Sequence, residues 1–305
     1  MNYLNDMSEI NLSLQDRTNA YRQLGANPFR PWPARITSIT QLTPKEKLFE
    51  LRLIDEKVRE AFTFTAGQFV ELSIFGVGEA PISISSAPSK QGFIELCIRE
   101  VGTVTAAIHR MQCGDVVGLR GPFGRGFPFE DMRGQDILLV AGGLGIAPLK
   151  SLINHIHDER HDFGKVTILL GARNPSEILF RHEFDMWKHR EDFDLIMTVD
   201  DAVDPVNPDV TWDGEVGLVT RLFDRLDIEP AHTFGVICGP PVMYPFVVEE
   251  MRKKQLKVDR IFVSIERRMK CGIGMCNHCA VGHQYTCIEG PVFSYWDAIN
   301  LQEAI

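Results

Sequence analysis

The stretch Ile137-Leu138-Leu139-Val140-Ala141-Gly142-Gly143-Leu144-Gly145-Ile146-Ala147-Pro148 governs the reading of this chain. An unbroken apolar run fits a strand buried on both faces. The glycines after it let backbone amides approach a pyrophosphate where a helix begins. A helix-like segment follows from Leu149 to about Glu159, and then a second apolar run, Val166 to Leu170, closed by Gly171-Ala172-Arg173. A helical stretch around Ile178 to Trp187 and two further strands, Asp194 to Val199 and Thr233 to Cys238, continue the alternation. Strands alternating with helices predict a doubly wound α/β domain with a parallel sheet. The turn reads GGxGxxP and not GxGxxG, so its strand–turn–helix setting carries the dinucleotide reading; the alternative is a turn whose glycines serve packing alone. A second turn, Cys238-Gly239-Pro240-Pro241-Val242-Met243, leaves the last strand toward the same crevice. Its prolines and glycine make a rigid wall suited to a planar ring.

Upstream, from Ala34 to about Pro128, the pattern is of short alternating runs such as Lys47 to Leu53, Gln68 to Ile74 and Phe93 to Arg99, separated by Gly and Pro turns. This predicts an antiparallel β-barrel, with Ile94, Leu96 and Ile98 facing inward and Glu95, Cys97 and Arg99 outward. Residues 1–29 read as a polar arm or short helix ending in Asn27-Pro28. The expected division is therefore an arm (1–29), a β-barrel domain (30–130), an α/β domain (131–263) and a C-terminal segment (264–305).

That last segment holds Cys271, Cys276, Cys279 and Cys287 in a C-x4-C-x2-C-x7-C run. The opening spacing is that of plant-type [2Fe–2S] sites, whereas structural zinc more often uses paired C-x2-C knuckles. Gly272 and Gly274 let the loop turn tightly and aim N–H groups at sulfide. Zinc and a Cys276/Cys279 dithiol remain as alternatives. His278 and His283 stand in the same loop, but four sulfurs already complete a ligand set. The segment is too short for a core of its own and is expected to depend on a metal for its order.

The net charge of −9 and the short, interrupted basic runs at Arg252 to Lys254 and Arg267 to Lys270 argue against nucleic-acid binding. No run of apolar residues is long enough for a membrane span, and the first thirty residues lack a signal peptide's apolar centre. Seven cysteines, four of them clustered, fit a reducing compartment, so a cytoplasmic protein is expected.

GGLGIAP and CGPPVM, in this order behind a barrel, resemble the ferredoxin–NADP⁺ reductase superfamily. The resemblance implies that Gly142, Gly143, Gly145 and Pro148 bind the pyrophosphate and ribose of NAD(P)H. By the same likeness Gly239, Pro240 and Met243 lie beside the nicotinamide, and Cys238 is the residue that touches it. Cys238 has a plainer reading too, as a small buried hydrophobe at a strand end. The barrel is then the FAD carrier. The family's Arg-x-Tyr-Ser-like flavin motif stands here as Ala80-Pro81-Ile82-Ser83-Ile84, with the arginine and stacking tyrosine replaced by Ala80 and Ile82. Gly102-Thr103-Val104-Thr105 resembles the second flavin element, whose amides and Thr105 hydroxyl would hold the FAD pyrophosphate. Pro122-Phe123-Gly124 matches a family turn beside the flavin domain. Arg173 lies where a 2′-phosphate is read but fits either NAD or NADP.

With the cysteine segment included, the chain is similar to the flavin subunits of cytoplasmic sulfhydrogenases, NAD(P)-linked hydrogenases and anaerobic sulfite reductase. The electron-transfer subunit of dihydroorotate dehydrogenase B is a relative whose last cysteine usually lies farther off. The likeness implies an oxidoreductase that passes hydride from NAD(P)H to FAD and single electrons through the cluster to a partner redox subunit. A stand-alone NAD(P)H–ferredoxin reductase, a dihydroorotate dehydrogenase-type electron-transfer subunit and a non-catalytic relay with a decayed crevice are the competing readings.

Overall fold

A computed structural model describes residues 27–188, 191–209 and 212–301. The arm expected over residues 1–29 falls outside the described residues up to residue 26. The alternating runs that follow form strands β1 (Trp32–Gln41), β2 (Glu46–Leu53), β3 (Phe69–Ile74), β4 (Gly78–Ser83), β5 (Ile94–Arg99) and β6 (Val116–Phe123). They pair antiparallel in the order β4-β3-β6-β1-β2-β5, and a bridge between Ile84 and Leu96 joins the two edges into a barrel. Two short helices, α1 (Glu56–Ala61) and α2 (Thr103–His109), fill connections. Period-two alternation puts Ala34, Ile36, Phe49, Leu51, Leu96, Ile98, Val117 and Leu119 into one core. Leu48 and Cys97 face the other way and are nevertheless buried, because they pack into the core under the second sheet.

The second sheet contains β7 (Asp136–Gly142), β8 (Val166–Ala172), β9 (Phe193–Val199), β10 (Glu215–Val216), β11 (Thr233–Cys238), β12 (Ile261–Ser264) and β15 (Val292–Ser294). Its order is β10-β9-β8-β7-β11-β12-β15, while β13 (Ala280–Val281) and β14 (Gln284–Tyr285) form a separate hairpin. Every pairing in the large sheet is parallel except that of β12 with β15. Ile137, Leu139 and Ala141 belong to the core on one face, and Leu138 and Val140 to the core on the other. That two-sided burial is why β7 reads as an unbroken apolar run. Each of these larger side chains contributes about 1.5–3 kcal/mol relative to exposure. Helix α3 (Ile146–Asp158) covers one face, and α5 (Tyr244–Lys253) and α6 (Tyr295–Asn300) the other, while the short α4 (Phe184–Lys188) lies before β9.

One expectation needs correction. The helical stretch expected around Ile178 to Trp187 is only a 3-10 turn, Arg181–Glu183, followed by α4. Ile178, Leu179 and Phe180 are all buried where the chain crosses the core, and Phe180 at φ 56° takes a left-handed conformation that interrupts any helix. The C-terminal segment has no core of its own; it contributes β15 to the sheet and Phe293, Ala298 and Leu301 to the core beneath α5. Among the described residues no helix is long and apolar enough to cross a membrane.

Candidate functional site

Cys238 at the end of β11 pairs with Ala141 near the end of β7, at the centre of the sheet. From these neighbours the chain departs in opposite directions, to β8 on one side and β12 on the other. The crevice beyond their carboxyl ends is therefore the topological switch point at which such sheets bind ligands. Both predicted loops open into it. Gly143–Gly145 forms a 3-10 turn that runs into α3, with Pro148 in the first helical turn where a missing N–H costs nothing.

The two loops interlock through their glycines. A methyl group on Gly145 would stand 2.1 Å from the Cys238 carbonyl oxygen, and one on Gly239 would stand 3.1 Å from the Gly142 backbone. Met243 packs over the pair, its sulfur 2.7 Å from where a Gly142 Cβ would be. Pro240 and Val242 face solvent at the rim, Val242 being 73% exposed. Arg173 is exposed just beyond β8, with Asp200 near it.

Cys238 itself is buried. Burial, reinforced by the Glu266 carboxylate and opposed by a hydrogen bond with Ser264, pushes its thiol up to about 12. It is a neutral thiol at the floor of the crevice and not a thiolate nucleophile.

The predicted flavin elements are adjacent on the barrel. Pro81, Ile82 and Ser83 are half-buried on β4 and Ile84 is fully buried, with Ile82 leaning on the barrel core. A Cβ on Gly78 would touch Val104 at 3.4 Å, so β4 and the start of α2 are in contact. The Thr105 hydroxyl is used inside that turn: it accepts from the amides of Val101 (3.0 Å) and Gly102 (2.9 Å). What the turn can offer a ligand is thus the first-turn amides of Thr103 and Val104, which lack intrahelical acceptors.

The barrel and the nucleotide domain are tied together along α3. Ser151 donates to the Ser86 carbonyl at 2.6 Å. Lys150, 1% exposed, reaches Glu95 of β5 at 2.6 Å and Glu183 at 3.0 Å. Sequence reasoning passed over Lys150; the signal was a charged residue beside Leu149 on a helix otherwise apolar toward the core.

The four cysteines of the C-terminal segment fall into two pairs. Cys276 donates its amide to the Cys271 sulfur at 3.4 Å, as does Met275 at 3.3 Å. The Cys287 thiol hydrogen-bonds Cys279 and holds it below the usual thiol range, at about 6. The Gly274 amide, pointing at the Cys287 sulfur at 3.2 Å, bridges the pairs. Gly272 and Gly274 sit at φ 75° and 72°, which glycine alone adopts cheaply. His278 is exposed and engages the Cys276 carbonyl, so neither histidine reading is needed to complete the set. Cys279 and Cys287 lie in the barrel's own core cluster, and a Gly272 Cβ would strike the Phe123 ring at 2.6 Å. The turn at Pro122 to Gly124 thus seats the cysteine loop on the flavin domain.

Three family models match in succession: the oxidoreductase FAD-binding domain over residues 33–127, the oxidoreductase NAD-binding domain over 139–249, and the iron–sulfur cluster binding domain of dihydroorotate dehydrogenase B over 266–298. The chain belongs to the ferredoxin–NADP⁺ reductase-like oxidoreductases that carry an iron–sulfur domain. Sulfhydrogenase 2 subunit gamma of Pyrococcus furiosus is 41% identical to this reductase over 92% of this chain and all of that one. A probable dihydroorotate dehydrogenase B (NAD(+)) electron transfer subunit of Methanocaldococcus jannaschii is 32% identical, covering 87% and 90%. The fold matches that of an NADH-dependent reduced ferredoxin-NADP oxidoreductase, with a TM-score of 0.68 over 86% of this chain and 88% of that one at 23% identity. It is thus an NAD(P)H-dependent flavin oxidoreductase. An iron–sulfur domain replaces the zinc alternative for the four cysteines.

Proposed function

We propose that this reductase is the NAD(P)H-oxidising subunit of a multisubunit redox complex of hydrogenase or sulfite-reductase type, and that its cysteines hold a [2Fe–2S] cluster. FAD held on the barrel would supply the chemistry that couples two-electron hydride transfer to one-electron transfer. The observation that carries the reading is that the barrel meets both other parts: α3 through Lys150 and Ser151, and the cysteine loop through Phe123.

Gly142, Gly143, Gly145 and Pro148 shape the turn that receives the pyrophosphate, and Gly239, Pro240 and Met243 form the wall for the nicotinamide. Arg173 stands at the ribose end, where NAD and NADP differ. Cys238, neutral and buried under both loops, packs against the ring and exchanges no proton. Pro81 to Ile84 and the first-turn amides of Thr103 and Val104 hold the flavin, with Gly102 and Thr105 shaping that turn through their own hydrogen bond and without the aromatic stacking that Ile82 cannot supply. Cys271 with Cys276, and Cys279 with Cys287, fit the two irons of a binuclear cluster. Met275, 71% exposed beside Cys276, marks the side of the cluster open to a partner.

Anaerobically purified protein titrated with NADH and then NADPH, followed by EPR and visible absorption, tests the reading. A rhombic signal from one cluster per chain, arising with flavin bleaching, is expected. A colourless protein, or one without dye-reducing activity, removes it. Size exclusion of native extract separates the complex from a free-standing ferredoxin reductase by co-elution with other redox subunits.

A further inference from the structure

Arg120 in β6 is 1% exposed, and besides a contact from Nη1 to the Pro28 carbonyl at 3.2 Å its donors go to the flavin strand and the cysteine loop. Nε and Nη2 meet the two carboxylate oxygens of Glu79 at 2.9 and 2.8 Å, and Glu79 belongs to β4, which also carries Pro81 to Ser83. Nη1 donates to the Cys271 carbonyl at 2.8 Å and Nη2 to the Lys270 carbonyl at 3.0 Å. A planar guanidinium can serve both sides at once because its fork is rigid; a lysine ammonium has no such geometry.

Resting on the iron–sulfur reading above, we propose that Arg120 is a positioning residue for the cluster: it locks the main chain at Cys271 to the flavin strand and raises the cluster's reduction potential. The pair with Glu79 is oriented. The Arg120 side chain is 2% exposed and lies on the cysteine side, whereas that of Glu79 is 34% exposed, so water screens the anion more than the cation. Cys271 therefore sits at the positive end. One-electron reduction of the cluster adds a negative charge there, which the cation favours. Glu71, fully buried with neither carboxyl oxygen hydrogen-bonded, lies within the field of Arg120, Glu79, Cys271 and Cys279, so the neighbourhood is dry enough for one charge to matter.

The experiment compares the full-length parent with Arg120→Met, Arg120→Lys and Glu79→Gln, each purified anaerobically, with iron and flavin quantified and the cluster titrated potentiometrically by EPR. Arg120→Met is expected to disfavour reduction at least tenfold, which for one electron is about 59 mV toward negative potential. Arg120→Lys recovers most of that shift while altering the EPR line shape, because the charge returns without the fork. Glu79→Gln moves the potential the other way, since it leaves the cation unpaired. Parent potential and line shape in an Arg120→Met protein with full iron and flavin overturn the assignment. If Arg120→Met fails to hold iron, Glu79→Gln decides by sign: a negative shift or none overturns it. Absence of any cluster signal in the parent instead removes the iron–sulfur reading, and the assignment with it.

Discussion

Gly145 and Cys238 are in van der Waals contact across the sheet's switch point, and a single methyl on Gly145 would overlap the Cys238 carbonyl oxygen. The two nucleotide loops are therefore one unit, each shaped by the absence of a side chain on the other.

Gly145→Ala forces the loops apart. Overpacking of this kind costs about 1–3 kcal/mol, and the displacement falls on the nucleotide site and not on the barrel. The expected protein keeps its flavin but loses about fivefold to 150-fold in kcat/KM for NAD(P)H with a dye acceptor, the same energy expressed as rate. Retention of parent kcat/KM would show that the loops move independently.

Cys238 is expected to resist alkylation. With its thiol pushed up to about 12 by burial, almost no thiolate exists at pH 8, and the side chain is closed to reagent. Exposed Cys113 provides the internal comparison. Mass spectrometry after brief iodoacetamide treatment should find Cys113 modified and Cys238 intact until denaturant is added; equal labelling of the two contradicts the buried assignment.

Glu71 should make stability fall as pH rises. Burial, only partly offset by Arg120 nearby, lifts its carboxyl to about 8, so the folded chain keeps a proton that the unfolded chain gives up near 4.5. Unfolding then releases a proton throughout that window, and stability declines from about pH 4.5 to about pH 8 and levels off above. The full effect is bounded by about 5 kcal/mol. Urea midpoints at pH 5.5 and 8.5 should converge in Glu71→Gln relative to the parent; an undiminished difference assigns the effect to other groups.

Lys150→Met should unfasten the domains. It leaves Glu95 and Glu183 partly buried, at 22% and 14% side-chain exposure, without their cation. Breaking a buried pair in this way typically costs about 3–5 kcal/mol. Adding Glu95→Gln and Glu183→Gln should recover much of the loss in urea unfolding, and failure to do so would mean that packing of the lysine stem dominates.

The nucleotide domain was legible because burial on both faces leaves apolar runs, as in Leu138 to Val140, and because close approach at Gly142, Gly145 and Gly239 admits no other residue. The barrel was legible from alternation in β2, β3 and β5. Ile178 to Phe180 was misread because an apolar cluster beside Trp187 mimics a helix face, although the chain there simply crosses the core. Strands β10, β12 and β15 are too short for periodicity to register, and their pairing is set by neighbours distant in sequence. Arg120 and Lys150 were invisible for a related reason: a charged letter gives no sign that partners in another domain, Cys271 for one and Glu95 for the other, will bury it. The cysteine spacing announced a metal site, but only the folded loop shows which sulfurs stand together.

Strand β15 pairs antiparallel with β12, so residues 265–291, cysteines included, are topologically the loop of a very long hairpin anchored at both ends in the sheet. A tail would have to find its place on the barrel each time it bound iron. A stapled loop has already given up most of that freedom when the sheet forms, and cluster insertion becomes a late, local event on a finished scaffold. Loss of iron should then leave an intact two-domain flavoprotein that can be reloaded.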